Sequence, residues 1–342
     1  MRKLLFSGII LFVAVGLMMS AFAAPAMAKD EVRKWRMSNW GPRYPIFEKL
    51  YHGFVEDIKK ASGGRLIVED IYDGEGVAGS QVLSAVKSNL TEMGTPYMAY
   101  HAGEVPAGLV EVGLPGLDLS LEQLRVLYQH MGWKEVLQKL YAEHKVHWVA
   151  EYSTPPSYVL TKEPIKSLDQ FKGMKLRAVG ANAKFLRNLG GVAVSVSFGE
   201  IYTGLATGVF DGVVGSALMD ISDGKFYELT KYVYPLPVSG SINVAFIVNM
   251  DEWKKLPDDL KFILELCATK FEFDHRSIFM VEAFEKMKVM KAAGLKWSPE
   301  PSQADKAKWQ EAGRKTWSEY EKDNYSKELL KIQADFMEKV LK

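Results

Sequence analysis

Cysteine is almost absent from this 342-residue chain, in which Cys267 is the single example. One cysteine cannot form an internal disulfide, so a disulfide-stapled scaffold is excluded. An excess of either charge is absent as well, because 43 basic residues stand against 42 acidic ones. No positive field would draw in a nucleic acid, and we expect no nucleic-acid partner.

Familiar catalytic motifs are also missing. The sequence contains no G-x-S-x-G, no H-E-x-x-H and no P-loop. "GEGVAG" at 74–79 matches a dinucleotide fingerprint, but Glu75 would place a negative charge where a pyrophosphate should lie, so we interpret it as a loop. His144 and His147 have no further Cys or His cluster to complete a zinc site. We therefore predict no catalytic residue, no metal site and no cofactor.

The first 28 residues differ from the rest of the chain. Arg2 and Lys3 precede an almost wholly apolar stretch at 4–22, and the triplet at 26–28 is a small-x-small cleavage site. This order predicts a secretory signal peptide over residues 1–28, and it favours cleavage over a retained membrane anchor. No cysteine lies near the cleavage site, so a lipid anchor is not expected. We expect the mature protein to diffuse freely in the periplasm.

Strand and helix patterns alternate along the remaining chain, which predicts the α/β class with two domains. Residues 32–100 show a strand–helix–strand–helix–strand order, and a capping box at Ser120 and Gln123 opens a helix that we expect to end near His144. A second alternating unit follows residues 154–156. After Pro257 the pattern is almost entirely helical, and it predicts that one face of this helix is packed. The residues of that predicted packed face are Phe262, Leu266 and Phe273.

The strand at 242–250 reads as one that returns to the first domain. We therefore predict that domain I comprises residues 29–154 plus about 243–285. Domain II would comprise residues 155–242 plus about 286–342, with the C-terminal helices. Two domains joined by more than one crossover are suited to closing on a ligand, since ligand pockets favour domain interfaces.

Arg177 is the best candidate for a ligand-binding residue. It interrupts the apolar strand pattern of "GMKLRAVG" at 173–180 and lies near the end of that strand, where it should face the crevice between domains. Its guanidinium could instead reach solvent or pair with Asp169; as a binding group it would match a carboxylate bidentately. Other candidates also lie at predicted strand ends. They are Trp40, Tyr97, Tyr158, Phe198, Gly215 and Ser216.

Several longer blocks carry a family resemblance. "PIKSLDQFKGMKLRAVG", "LGGVAVSVSFGEIYTGLATGVFDGV", "FYELTKYVYP" and "VNMDEWKKLP" together resemble the solute-binding proteins of tripartite ATP-independent periplasmic (TRAP) transporters, the dicarboxylate-binding-protein (DctP) family. The resemblance covers most of the chain after the signal peptide.

This resemblance implies a two-domain periplasmic binding protein of the Venus-flytrap type, with hinge strands and a long interdomain helix. It implies that Arg177 holds the carboxylate of an organic acid and that Phe198 contacts the ligand. It also implies delivery to TRAP membrane permease subunits driven by an ion gradient. The protein would be a monomer, with dimerisation through the C-terminal helices as the alternative.

Two positions depart from what many relatives carry. Gly215 replaces a polar residue, often Asn, and Ser157 stands where some relatives have a second basic residue. A second carboxylate would then lack a partner, which is costly in a buried site. We therefore expect a monocarboxylate, such as a 2-oxo or 2-hydroxy acid, with an apolar or aromatic side group. The alternatives are a C4-dicarboxylate-binding TRAP subunit, a ligand sensor that feeds a receptor, or a periplasmic enzyme.

Overall fold

The computed structural model describes residues 31–116, 119–321 and 323–339. The predicted signal peptide lies outside the described residues. Lys34–Lys342 forms one compact unit, and in the N-terminal unit before it Arg33 lies 4.0 Å from Glu31. Across the described ranges, no helix combines the length and the apolar character that crossing a membrane requires.

Strands and helices alternate through most of the described chain. The strands are β1 (Arg33–Asn39), β2 (Leu66–Ile71), β3 (Met93–Thr95), β4 (Val146–Thr154), β5 (Ser157–Thr161), β6 (Lys175–Arg177), β7 (Val192–Val194), β8 (Gly212–Ala217), β9 (Tyr232–Ser239), β10 (Ile242–Asn249) and β11 (Lys296–Trp297). The helices are α1 (Pro45–Ala61), α2 (Val82–Lys87), α3 (Gly108–Glu111), α4 (Leu121–His130), α5 (Trp133–Glu143), α6 (Gly180–Asn188), α7 (Ile201–Ala206), α8 (Leu218–Asp223), α9 (Met250–Lys255), α10 (Asp258–Ala292), α11 (Gln303–Ser318) and α12 (Asn324–Lys339).

Two mixed sheets organise these elements, and we call them lobe I and lobe II together with the helices that cover them. The sheet of lobe I has the order β2-β1-β3-β10-β4, and that of lobe II has the order β11-β9-β5-β8-β6-β7. In lobe I, β1 and β3 are parallel while β10 runs antiparallel to β3 and β4. In lobe II, β6 is parallel to β7 and β8. The predicted two-domain α/β class is confirmed.

The chain crosses between the lobes at four places, one of which lies between α11, which packs on α6 of lobe II, and α12, which packs on α3 and α5 of lobe I. Thr154-Pro155-Pro156 links β4 to β5, and the short turn after Ser239 links β9 to β10. The third crossing is the 35-residue helix α10, which packs on β4 and α1 in lobe I and on α8 in lobe II. The two links and helix α10 are the predicted hinge strands and interdomain helix.

Three details differ from the sequence predictions. The predicted helix from Ser120 to His144 is two helices, α4 and α5, because Gly132 adopts φ +88° and breaks the helical path. Strands β5 and β9 were not predicted, although they pair with each other in the middle of lobe II. The predicted packed face of α10 is wrong: Phe262, Leu266 and Phe273 are 65%, 55% and 66% exposed.

A buried acid is built into the core of lobe I. Glu111, at the end of α3, is 1% exposed, and its carboxylate accepts hydrogen bonds from the Tyr141 hydroxyl at 2.5 Å and the Trp148 indole at 3.1 Å. Burial raises the pKa of Glu111 to about 7, although both hydrogen bonds oppose that shift. Every contact that satisfies this carboxylate comes from the same lobe.

Candidate functional site

Arg177 ends β6 and is 3% exposed, so the alternative in which it reaches solvent is excluded. Its Nε and Nη2 atoms donate to the Val196 carbonyl at 3.2 and 3.0 Å. Nη2 also donates to the Tyr100 hydroxyl at 3.2 Å, and Tyr100 belongs to the short helical turn after β3 in lobe I. The guanidinium of lobe II therefore contacts lobe I directly.

No carboxylate forms an ion pair with Arg177 among the described residues. Asp169, the structural partner considered from the sequence, pairs instead with Lys308 at 3.5 Å. An arginine cannot lose its charge, so burial without a counter-ion is unfavourable unless polar groups compensate it. One carbonyl and one hydroxyl give only partial compensation. The site is thus suited to an anion.

Aromatic side chains from both lobes form a cluster that reaches this arginine through Tyr100, whose ring centroid lies 5.2 Å from that of Tyr97. Trp40 follows β1 and Tyr97 follows β3, so both lie at the carboxyl ends of parallel strands. The ring of Trp40 lies 5.4 Å from that of Tyr97 and 5.3 Å from that of Phe198, measured between centroids. Trp40 is also fixed by its indole N–H, which donates to the Tyr152 hydroxyl at 3.1 Å. The structure brings together Arg177 and these three predicted aromatics.

Tyr158 is placed differently. It lies in β5, where its ring packs edge-on against Trp297 at a centroid distance of 5.4 Å. The ring contacts of the Trp40, Tyr97 and Phe198 cluster do not include it. Tyr158 is therefore not part of the aromatic cluster near Arg177.

Gly215 and Ser216 lie in the second half of β8. Gly215 has φ +87°, and a Cβ there would lie 2.1 Å from the Nδ2 atom of Asn182, so only glycine fits beside this amide. Ser216 is fully buried, and its hydroxyl makes no hydrogen bond to any of the described residues. The space that a larger residue at 215 would fill is taken by the Asn182 amide.

A small cavity of about 10 Å³ lies between the lobes next to this amide. Tyr97 and Leu109 line it from lobe I, and Val179 and Asn182 line it from lobe II. That volume has room for about one water molecule. A solute of several atoms would therefore require the lobes to separate before it enters.

Asp220 adds a titratable group that the sequence did not single out. It is 7% exposed in α8, and its Oδ2 atom accepts the backbone N–H of Ala217 at 3.1 Å. Burial raises the pKa of Asp220 to about 7, with Asp223 adding to the shift and Arg177 opposing it. Asp220 also acts electrostatically on Tyr97, so it belongs to the surroundings of the site.

The residues missed from sequence are Tyr100, Asn182 and Asp220. Tyr100 lies five residues after β3. A search for candidate residues at predicted strand ends therefore does not find it. Asn182 is in the first turn of α6, five residues after Arg177. This closeness to Arg177 in the sequence is the signal that could have identified it. Asp220 sits at the third position of α8, where an acid ordinarily indicates a helix start.

The remaining motif candidates have structural partners. In the "GEGVAG" loop, Glu75 accepts from Arg43 at 2.7 Å, as a surface ion pair. His147 stacks on Trp253 with ring centroids 3.9 Å apart, and His144 lies 3.6 Å from Glu104. Over the part of the chain that the structure describes, no group of three acidic, His or Cys side chains could hold a metal ion.

A larger surface groove lies away from this site. It has a volume of about 750 Å³ and is lined mainly by the end of α6 and by α11. Lys172, Lys308 and Lys315 edge it together with Asp169 and Glu311. These mixed charges lie on solvated side chains, so the groove has no buried, uncompensated charge comparable to Arg177.

Comparisons with known proteins agree with one another. The family model described as "Bacterial extracellular solute-binding protein, family 7" (DctP) matches residues 37–323. A monocarboxylate 2-oxoacid-binding periplasmic protein of Nostoc sp. is 26% identical over 69% of this chain, and the match spans 65% of that relative's length. The C4-dicarboxylate-binding periplasmic protein DctP of Rhodobacter capsulatus is 25% identical over 75% of this chain and 77% of its own.

A solved structure shows the same fold. It is a TRAP periplasmic solute-binding protein from Pseudoalteromonas atlantica with bound sodium and pyruvate. Its TM-score is 0.84 at 20% identity, and the superposition covers 91% of this chain and 95% of that one. The two-lobed arrangement described above is therefore that of a known architecture.

Proposed function

The chain belongs to family 7 of the bacterial extracellular solute-binding proteins, and from this premise we propose that it captures an organic monocarboxylate between its lobes. The observation that carries the proposal is the buried Arg177 guanidinium, which has no carboxylate partner among the described side chains. A solute carboxylate would supply the missing charge with paired, charge-assisted hydrogen bonds. Arg177 is the anion-binding residue in this proposal.

A single carboxylate is favoured by the neutral groups around the site. Ser157 is buried, and its hydroxyl lies 3.0 Å from that of Ser239, so no second cation stands at this position. Gly215 and the Asn182 amide offer a polar but uncharged surface. Of the relatives above, one is named for monocarboxylate 2-oxoacids and another was solved with pyruvate, which agrees with this preference.

The side group of the solute would contact aromatic rings. Trp40, Tyr97 and Phe198 present apolar surface from both lobes, so closure would bury that side group and remove water from around the ion pair. Because Arg177 lies in lobe II and Tyr100 in lobe I, a solute at Arg177 would contact both lobes at once. Binding and closure are thus one event in this proposal.

We further propose the cellular setting. The signal peptide at 1–28 would export the chain to the periplasm. The lobes would correspond to the domains predicted from sequence apart from α12, which was assigned to domain II but packs on α3 and α5 of lobe I. The closed protein would deliver its solute, chemically unchanged, to a TRAP permease in the membrane. Recovery of an altered acid after hours of incubation would point to an enzyme instead.

A thermal-shift screen tests the solute class. Pyruvate, 2-oxobutyrate and lactate are compared with succinate, malate, a neutral sugar and an amine, since any ligand of the folded state raises Tm by mass action. We expect a monocarboxylate to give the largest rise. A larger rise with succinate or malate would favour the C4-dicarboxylate alternative, and a response to sugars or amines alone would refute carboxylate binding.

A further inference from the structure

Helix α10 carries a line of large apolar side chains on its solvent face. At 100° per residue, all of them lie within about 20° of Phe273 around the helix axis. They are Phe262, Leu266, Phe273, Met280 and Phe284, with exposures of 65%, 55%, 66%, 73% and 67%. We call these five residues the α10 stripe. The opposite face of α10 packs on β4, α1 and α8, so the stripe is not needed to hold the two lobes.

The stripe is large for the surface of a monomer. An aromatic side chain has on the order of 150–250 Å² to bury, so five side chains exposed by half or more present several hundred Å². Contiguous apolar patches of that size mark interaction surfaces. The area approaches one partner's share of a standard protein interface, about 800 Å².

The spacing of the stripe is symmetric about its centre. Phe273 is the middle residue, Leu266 and Met280 lie seven residues away on either side, and Phe262 and Phe284 lie eleven residues away. Two such helices placed antiparallel about a two-fold axis at Phe273 would put Phe273 beside its own copy. Leu266 would face Met280 of the second copy, and Phe262 would face Phe284 of the second copy. Every stripe residue would thus meet an apolar residue of the second copy.

The charges along α10 also favour an antiparallel pair of helices. Asp258 and Asp259 open the helix, whereas the exposed Lys288 and Lys291 lie near its end. An antiparallel pair would bring the acidic end of one helix beside the basic end of the other. A parallel pair would place the two acidic ends together and the two basic ends together.

We propose that the α10 stripe binds a second copy of this chain, as an isologous two-fold dimer with antiparallel α10 helices. The apolar area indicates an interface, and the symmetric spacing and the charge order agree with a second copy in this orientation. The interface lies on α10, whereas the sequence suggested the C-terminal helices as the alternative to a monomer. It does not depend on which solute the cleft binds.

The first test measures the mass of the exported protein in solution by sedimentation equilibrium over a range of concentrations. We expect a reversible dimer for the unaltered chain. Phe273→Glu should raise the dimer dissociation constant by about 30-fold or more, as expected for the centre of an interface. Val289→Glu is the matched control, because Val289 is 57% exposed on the same helix but about 160° around the axis from Phe273. Its dissociation constant should stay unchanged.

The second test fixes the orientation by cross-linking, with Cys267→Ser in every variant. Phe273→Cys should form a disulfide-linked dimer on mild oxidation. Phe262→Cys alone and Phe284→Cys alone should not, because each would lie about 33 Å from its own copy, at about 1.5 Å per residue. A mixture of the last two variants should cross-link.

Three outcomes would overturn the proposal. The first is a monomeric unaltered chain at all concentrations, and the second is a dimer that Phe273→Glu leaves intact. The third is cross-linking of Phe262→Cys with itself, which would require parallel helices. If the chain is monomeric but Phe273→Glu abolishes solute transport in cells, the stripe contacts a membrane partner and the dimer is refuted.

Discussion

Arg177 and Glu111 are both buried charged residues, but their surroundings differ in kind. Glu111 accepts hydrogen bonds from Tyr141 and Trp148 within lobe I, and burial has already moved its pKa to about 7. Arg177 has a carbonyl of its own lobe and one hydroxyl of the other lobe. A carboxylic acid can take up a proton when buried, whereas a guanidinium keeps its charge.

Under the proposed function, Glu111 is a structural charge and Arg177 is a binding one. The Glu111 carboxylate has its hydrogen-bond partners without any further molecule, so replacing Glu111 should lower the free energy of unfolding. In the function proposed above, a solute anion completes the surroundings of Arg177, so replacing Arg177 should lower ligand affinity. The predictions below test this separation, from the largest expected effect to the smallest.

Arg177→Ala should weaken binding of the best monocarboxylate by about 2–5 kcal/mol, because the solute carboxylate would lose its partner in a desolvated site. The unfolding free energy should stay the same or rise, since a buried charge is removed. Isothermal titration calorimetry measures the first quantity and urea unfolding the second. Arg187→Ala, an exposed arginine of the same lobe, is the control. Unchanged affinity in the Arg177 variant would refute its role.

Glu111→Ala should show the reverse pattern. It leaves the Tyr141 hydroxyl and the Trp148 indole N–H buried without an acceptor, at a cost of about 2–4 kcal/mol in unfolding free energy. The affinity for the solute should not change. Glu111→Gln keeps an acceptor oxygen and should cost less than half as much. Loss of affinity at full stability would contradict a purely structural role.

The sequence predicted one member of this pair and not the other. Arg177 interrupts an apolar strand and lies in a block that resembles a known family, and the family match confirms that resemblance. Glu111 lies in the segment "GLVEVG", where nothing local shows that Tyr141 and Trp148 will surround it. Contacts between residues that are 30 and 37 positions apart are set by packing, which a single sequence does not display.

Gly215→Ala should reduce the unfolding free energy by about 1–3 kcal/mol, through a positive φ and displacement of the Asn182 amide. Gly208→Ala is the matched control, because Gly208 also has a positive φ of +73° but no atom near its would-be Cβ. The difference between the two losses measures the clash alone. Equal losses would show that the Asn182 amide moves aside freely.

Asp220→Asn should change how binding depends on pH. The pKa of Asp220 is raised to about 7, so its carboxylate gains a negative charge near the bound anion as the pH rises through 7, and affinity should fall by a few-fold. The variant should give a flatter affinity profile between pH 6 and 8. An identical pH profile in the two proteins would separate Asp220 from the site.

The raised pKa of Asp220 also makes the free energy of unfolding depend on pH. The folded protein holds this proton up to about pH 7, whereas an unfolded aspartate releases it near its ordinary value of 3.8. The contribution of Asp220 is therefore most favourable below about pH 4 and is lost as the pH rises through 7. Urea unfolding at pH 5 and 8 should show a smaller pH difference for the Asn variant.

The fold was more predictable than its details. Strand and helix periodicity found both lobes, the returning strand β10 and the start of α10, since those patterns are local. Periodicity could not tell which face of α10 is covered, because an exposed apolar stripe and a buried one have the same spacing. It also gave Tyr158 the same standing as Tyr97, although only the second one joins the aromatic cluster.

Helix α10 also sets a mechanical condition on any movement of the lobes. It is about 52 Å long at 1.5 Å per residue, and it contains neither proline nor glycine at which to kink. Such a helix behaves as a stiff rod, so it must travel with one lobe and slide or lose contact against the other. The bending is left to the two short peptide connections between the sheets and to the link between α11 and α12, and whatever binds to the outer face of the rod is carried along with it.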